Sequence, residues 1–223
     1  MLGPVTRQRG FTLVEVMVGL VVGLLVVVAA AALLATHLRE HRSMLVEARL
    51  MQDLRTSTDI IVRDVRRSGY WGNARTALRP GMAASNPYVA LSPASASAEA
   101  VSFQLSRDAT ENDTLDDNER FGFRLRHGVI EMLIGGGSWQ ALTDAGTLEV
   151  LSFQVSAESQ VQSLRDACER PCDLAVAACG PVIEQRKLTI AITARAVVDH
   201  QVVRTLTSQA RIRNDVVSGA CLA

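Results

Sequence analysis

From residue 16 to residue 36 the chain carries apolar side chains and no charge, after which the hydrophobic pattern changes period twice. At about 1.5 Å per residue the first run covers about 30 Å as a helix, the thickness of a bilayer core. A buried helix of a soluble protein is the competing reading, but an uncharged run of this length belongs in lipid. Next, Leu38, Leu45, Ala48, Met51, Leu54, Ile61 and Val65 recur at helical spacing, with Thr58 on the same stripe. This predicts an amphipathic continuation of the helix over residues 37–68. Arg63, Arg66 and Arg67 suit the negative end of its dipole, and Gly69 is a natural stop. At helical rise, residues 12–68 would extend about 85 Å. The apolar stripe then needs a cover, which a following sheet can provide.

Alternation takes over beyond a loop. Residues 74–99 hold Pro80, Pro87, Pro93 and an Ala/Ser run, the composition of a surface loop. Strand patterns follow at 101–105, 121–126, 129–134 and 148–156, then in two longer stretches at 187–199 and 201–214. His127-Gly128 predicts a tight hairpin, and Gly135, Gly136 and Gly137 a flexible connection. Without a following lysine and helix these glycines are no phosphate loop. "GYWGN" at 69–73 reads as a turn that packs Tyr70 and Trp71 against the sheet. The fold class expected is α+β: a long N-terminal helix, half membrane and half amphipathic, packed on a mainly antiparallel β-sheet.

Charge adds direction. With 23 basic and 23 acidic residues, the chain has no global field pointing to nucleic acid, and its arginines are scattered among acids. Arg7 and Arg9 precede the apolar run, so the N-terminus should stay cytoplasmic and the remainder should be exported. The alanines at 29–32 and Ala35 imitate a signal-peptide cleavage site weakly, but the apolar core before them is already long and includes Glu15. That acid is the anomaly. A carboxylate in hydrocarbon costs several kcal/mol or more unless paired or protonated, so it needs a partner.

Other chemistry is thin. Cys168, Cys172, Cys179 and Cys221 would suggest zinc in a cytosolic protein; export favours two disulfides, with three possible connectivities. One bridge is expected to tie a loop over 158–182 and another to pin the tail through Cys221, each worth about 2–4 kcal/mol. That matters at an aromatic content of 4%, which leaves the core few large side chains. His37-Leu38-Arg39-Glu40-His41 matches an inverted zinc-protease pattern but sits where a helix leaves the bilayer, and is read as interfacial polar residues. The acidic run 108–119 lacks the spacing of a calcium loop and is read as solvated, with calcium as the lesser alternative. No catalytic constellation, metal cluster or cofactor motif is recognisable, so neither an enzyme nor a cofactor is expected. Gly19 and Gly23 form a small-xxx-small pair, a weak signal for close helix packing in lipid.

Arg9-Gly10-Phe11-Thr12-Leu13-Val14-Glu15 resembles the type IV prepilin signature. The resemblance implies that a prepilin peptidase cleaves between Gly10 and Phe11 on the cytoplasmic side and methylates the new Phe11 amine. Glu15, one helical turn on, would then meet a cation. Pairing with Phe11 of an adjacent subunit during assembly is the favoured reading, pairing within one chain the alternative. Many major pilins kink this segment with proline; here none occurs between Pro4 and Pro80. "GYWGN" and the terminal Arg211-Ile212-Arg213-Asn214 resemble the PilW family of minor pilins. That resemblance implies a fibre subunit that primes type IV pilus assembly or joins a tip complex. Its implied partners are the peptidase, other minor pilins, the major pilin and a tip adhesin, with membrane lipid before assembly. A J-type pseudopilin of a type II secretion system is the alternative. The expected organisation is a leader at 1–10, a membrane helix at 11–36, its amphipathic continuation at 37–68 and a periplasmic β-rich domain at 69–223.

Overall fold

The computed structural model describes residues 10–75, 85–94, 97–169, 180–219 and 221. The chain divides into two compact units, Met1–Leu45 and Val46–Ala223. One helix, α1 (Leu13–Val65), supplies what is described of the first unit beyond Thr12, and opens the second.

Within the first unit the helix meets its own backbone hydrogen bonds and covers none of its side chains. The apolar stretch is long enough to cross a membrane, and among the described residues none of it is buried. In the second unit Leu50, Leu54, Ser57, Thr58, Ile61 and Val65 are buried. The predicted stripe is therefore displaced at its start: Leu38 and Leu45 are 53% and 71% exposed, Ala48 is exposed, and Leu50 takes the inward place. Sequence spacing alone allowed both faces there, because apolar residues lie on each. The helix also ends at Val65 rather than Ser68. The N–H groups of Arg67 and Ser68 turn to the carbonyls of Asp64 and Val65, three residues back, tightening the last turn. Gly69 then adopts a left-handed conformation (φ +74°), open to glycine at no steric cost.

Ten strands follow: β1 (Leu91–Ser92), β2 (Ser97–Ala98), β3 (Ala100–Gln104), β4 (Arg120–Arg126), β5 (Val129–Ile134), β6 (Trp139–Ala141), β7 (Leu148–Ser163), β8 (Val182–Ala196), β9 (Val203–Arg211) and β10 (Val216–Ser218). They form two antiparallel sheets where the sequence pattern suggested one. The first runs β1-β3-β4-β5-β6; the second runs β10-β8-β7-β2, with β9 also paired to β8. β2 already belongs to the second sheet, and after β6 Asp144 accepts from the N–H groups of Gly146, Thr147 and Leu148 where the chain returns to it. The hairpin at His127-Gly128 forms as expected. Both residues have positive φ (50° and 77°), and Arg126 pairs with Val129 across a two-residue turn.

Phe103, Phe123 and Ile130 from the first sheet meet Phe153, Val155, Leu188, Ile190 and Ile192 from the second in one core with the helix residues. Each such side chain contributes about 1.5–3 kcal/mol by leaving water. The expected loop over 158–182 begins later than its composition suggests. Residues 158–163 continue β7 in register with β8, from Glu158 opposite Lys187 to Ser163 opposite Val182. Their polar side chains hid a strand that backbone pairing makes.

Candidate functional site

The processing end comes first. Gly10, Phe11 and Thr12 lie outside the helix, and all three are exposed. Thr12 caps it: its Oγ1 accepts from the Glu15 N–H at 3.3 Å, and its carbonyl accepts from Glu15 and Val16. Thr12-Leu13-Val14-Glu15 thus has the spacing of a capping box, a reading missed in the sequence though its T-x-x-E signal was visible. A carboxylate in the first turn is also favoured by the helix dipole. The Gly10–Phe11 bond lies before the first helical turn, where backbone remains open to an enzyme. While that bond is intact the Phe11 nitrogen is an amide, and Glu15 forms no ion pair among the described residues. A Cβ placed on Gly19 or Gly23 would meet nothing within 4 Å, so both lie open along the single chain.

The helix exit is built very differently. Its four successive carbonyls are met by distant segments: Arg66 by the Arg213 N–H (3.0 Å), Arg67 and Ser68 by the Asn214 amide (3.3 and 3.0 Å), and Gly69 by the Asn86 amide (2.9 Å). Gly69 N–H donates to the Gln104 carbonyl in β3. Arg213 and Asn214 were expected to end a strand; β9 stops at Arg211, and these residues close the exit instead.

Beside it, the acidic run 108–119 is a fastener rather than a solvated loop. Trp71 donates from its indole to Asp113 (2.6 Å), the Gly72 N–H to Glu111 (2.8 Å), and the Asn73 amide to Asp113 (3.1 Å). Tyr88, fully buried, donates its hydroxyl to Glu111 (2.8 Å). Glu119 is buried and accepts from the Arg107 and Asp116 N–H groups. Trp71 is buried, but Tyr70 is 51% exposed, so only one of the two aromatics packs inward. Burial pushes the Tyr88 phenol above its ordinary range, and the adjoining Glu111 carboxylate adds to this. Burial alone would raise Glu111, but hydrogen bonds from Ser106, Tyr88, Gly72 and Asp113 outweigh it and hold the carboxyl below its ordinary value. Arg186, 9% exposed, donates to the Val89 carbonyl (2.6 Å) while its Nε and Nη2 have no hydrogen-bond partner among the described residues; desolvation lowers its pKa, opposed by Glu184 and Asp215.

Cys168 and Cys221 are joined, with Cα atoms 5.5 Å apart, so a single bridge both starts in the expected loop and pins the tail. Cys172 and Cys179 lie outside the described residues. His37 and Glu40 approach only to 3.9 Å on an exposed helix face. Among the described residues no group of three or more His, Cys, Asp or Glu is placed to hold a metal ion. Gly135 and Gly136 are tied to the Arg120 and Asp117 carbonyls, so the expected flexible connection is a held turn.

Residues 5–31 match the prokaryotic N-terminal methylation motif, and residues 43–212 match the family described as prepilin peptidase-dependent protein B. No curated protein and no solved structure matches the chain. The second match spans "GYWGN" and most of the terminal arginine-rich segment, and the family it identifies is this broader one, not PilW in particular. The protein is a structural subunit precursor rather than an enzyme, anchored in the inner membrane by one N-terminal helix with the remaining domain outside the cytoplasm. It is processed by a prepilin peptidase and takes part with other pilin-family proteins in assembling a pilus or pseudopilus. With a methylation motif at the head of the helix and a family match across most of the exported region, the chain belongs to the prepilin peptidase-dependent protein B family.

Proposed function

We propose that the chain is a minor subunit of the J type in a type II secretion pseudopilus. The observation that carries this reading is the match over residues 43–212 joined to the motif at 5–31. A PilW-type minor pilin that primes a type IV pilus or joins its tip is the second reading. The segments that favoured it lie within or at the border of the range matched by the broader family, so they do not by themselves favour it.

In this proposal residues 1–10 are the leader, removed between Gly10 and Phe11, and Phe11 is then N-methylated. Cleavage turns an amide into a cation at the head of a hydrophobic helix. Glu15 of a neighbouring subunit receives that cation as the two helices come together. Opposite charges in low dielectric attract strongly, and burying both is tolerable only when they meet, which sets the register between otherwise featureless helices. Gly19 and Gly23 let the backbones approach closely. Chemical crosslinking of the processed chain, produced alongside both secretion pseudopilins and pilus minor pilins, tests the assignment. Crosslinks to the pseudopilins support the J type, and crosslinks to pilus subunits alone replace it with the second reading. If neither forms, the chain is not a fibre subunit. Glu15→Ala should abolish the crosslinks along the membrane helix; retention of wild-type crosslinking removes the role given to Glu15.

A further inference from the structure

Among the described residues, the distal end of β7 has a strand edge that nothing pairs. On one side its residues pair with β8 as far as Ser163. On the other, β2 pairs with β7 only at Val155 and Ser156, and no described strand pairs beyond Ser156. Proteins usually blunt such edges by shortness, charge, proline or a bulge. The other edges here obey that rule. β1, β2, β6 and β10 are two or three residues long, and β9 carries Arg204 and Arg211 paired to Glu47 and Asp215. Residues 159–163 have no charge, no proline and no bulge. They are also braced. β8 lies between β7 and β10 at this end, and the Cys168–Cys221 bridge joins the segments that follow those two outer strands.

The exposed sequence reads Ser159-Gln160-Val161-Gln162-Ser163, a palindrome. Antiparallel pairing with an identical strand about Val161 puts Val161 opposite Val161, Gln160 opposite Gln162 and Ser159 opposite Ser163. An isologous contact demands this self-complementarity, because each residue must suit the place its own mate occupies. Val161 shares the face of Phe153 and Val155, yet it is 64% exposed where they are fully buried. A second copy would cover it.

The geometry points to a homotypic site: two copies of this chain join the outer edges of β7 over residues 159–163 and make one continuous antiparallel sheet. Main-chain hydrogen bonds carry the contact, as in other strand additions, and the Val161 pair and two glutamine pairs fix its register.

Sedimentation of the processed full chain in detergent micelles tests this, independently of whether any fibre assembles. The wild type should show a monomer–dimer equilibrium. In Q160K/Q162K each lysine faces another lysine across the axis, and dimerisation should weaken about tenfold or more. In Q160K/Q162E each lysine faces a glutamate, and dimerisation should return to at least the wild-type level. Both positions are exposed, and an intact Cys168–Cys221 bridge with unchanged circular dichroism reports that the variants fold. A wild type that stays monomeric overturns the inference. So does a dimer that survives Q160K/Q162K, which would lie along the membrane helix, or capture of a different protein's strand in place of a second copy.

Discussion

Along residues 13–45 the helix satisfies its backbone internally and leaves its side chains to whatever surrounds them. Leu20, Val22, Leu24 and Leu34 touch nothing that buries them, and Gly19 and Gly23 face open space. In the unit from Val46 onward the chain supplies its own partners. Helix residues from Leu50 to Val65 disappear into a core with two sheets, and the carbonyls at the helix exit are taken by Arg213, Asn214 and Asn86. The difference teaches where each region's specificity resides. The first is recognised from outside, by an enzyme and by lipid, and in the proposal above by other subunits. The second is specified by itself, and substitutions there act through folding.

The sharpest break of that contrast is Gly10→Val. It should leave the β-rich unit folded and abolish removal of residues 1–10, an all-or-none effect visible in the intact mass of protein extracted from membranes. Normal trimming would show that the helix head is not what the peptidase reads. A smaller effect separates the two stretches of the same helix. Leu54→Ala should destabilise the folded domain by about 2–5 kcal/mol in denaturant titration, since the side chain is fully buried. Leu20→Ala should leave that transition unmoved. Equal effects would mean the two stretches do not differ in what covers them.

The least effect, and the most specific to the exit, is pH dependence. Glu111 has a folded pKa below its ordinary value of 4.5. The unfolded chain therefore takes up this proton at higher pH than the folded chain does. The stabilisation is complete above that ordinary value and is lost as pH falls through the folded pKa. Glu111→Gln should flatten the acid limb of stability by that contribution, with little change in neutral solution beyond the altered hydrogen bonds. Thermal melts of both proteins between pH 3 and pH 7 compare them; parallel curves would show that Glu111 is not the titrating group.

What the sequence made legible follows the same division. The membrane run and the Glu15 anomaly announce themselves because lipid imposes composition residue by residue. The tight turn at His127-Gly128 was also readable, since few residue pairs adopt positive φ at both positions. Long-range pairing was not. Glu111, Asp113 and Glu119 looked like solvated acids in a polar run, because a carboxylate's acceptor role depends on donors that the fold brings to them: Gly72 and Tyr88 to Glu111, Trp71 to Asp113 and Arg107 to Glu119. Residues 158–163 looked like loop because a polar strand at a sheet's end lacks hydrophobic alternation. Leu50 was overlooked in favour of Leu45 because helical spacing gives a period but no origin. The division into two sheets was not legible either, because the chain changes sheet at β2 and again at the Asp144 turn, and neither place differs in composition from an ordinary connection.

Sealing the helix exit with Arg213 and Asn214 imposes an order of events on an exported chain. The ribosome makes the helix early and Asn214 only later, 147 and 146 positions beyond the Arg67 and Ser68 carbonyls it caps. Until that late segment has crossed to the far side, the exit turn must rely on water to cap its carbonyls. Completion of the domain thus reports completion of translocation, and a chain halted short of residue 214 arrives with its first element unfinished.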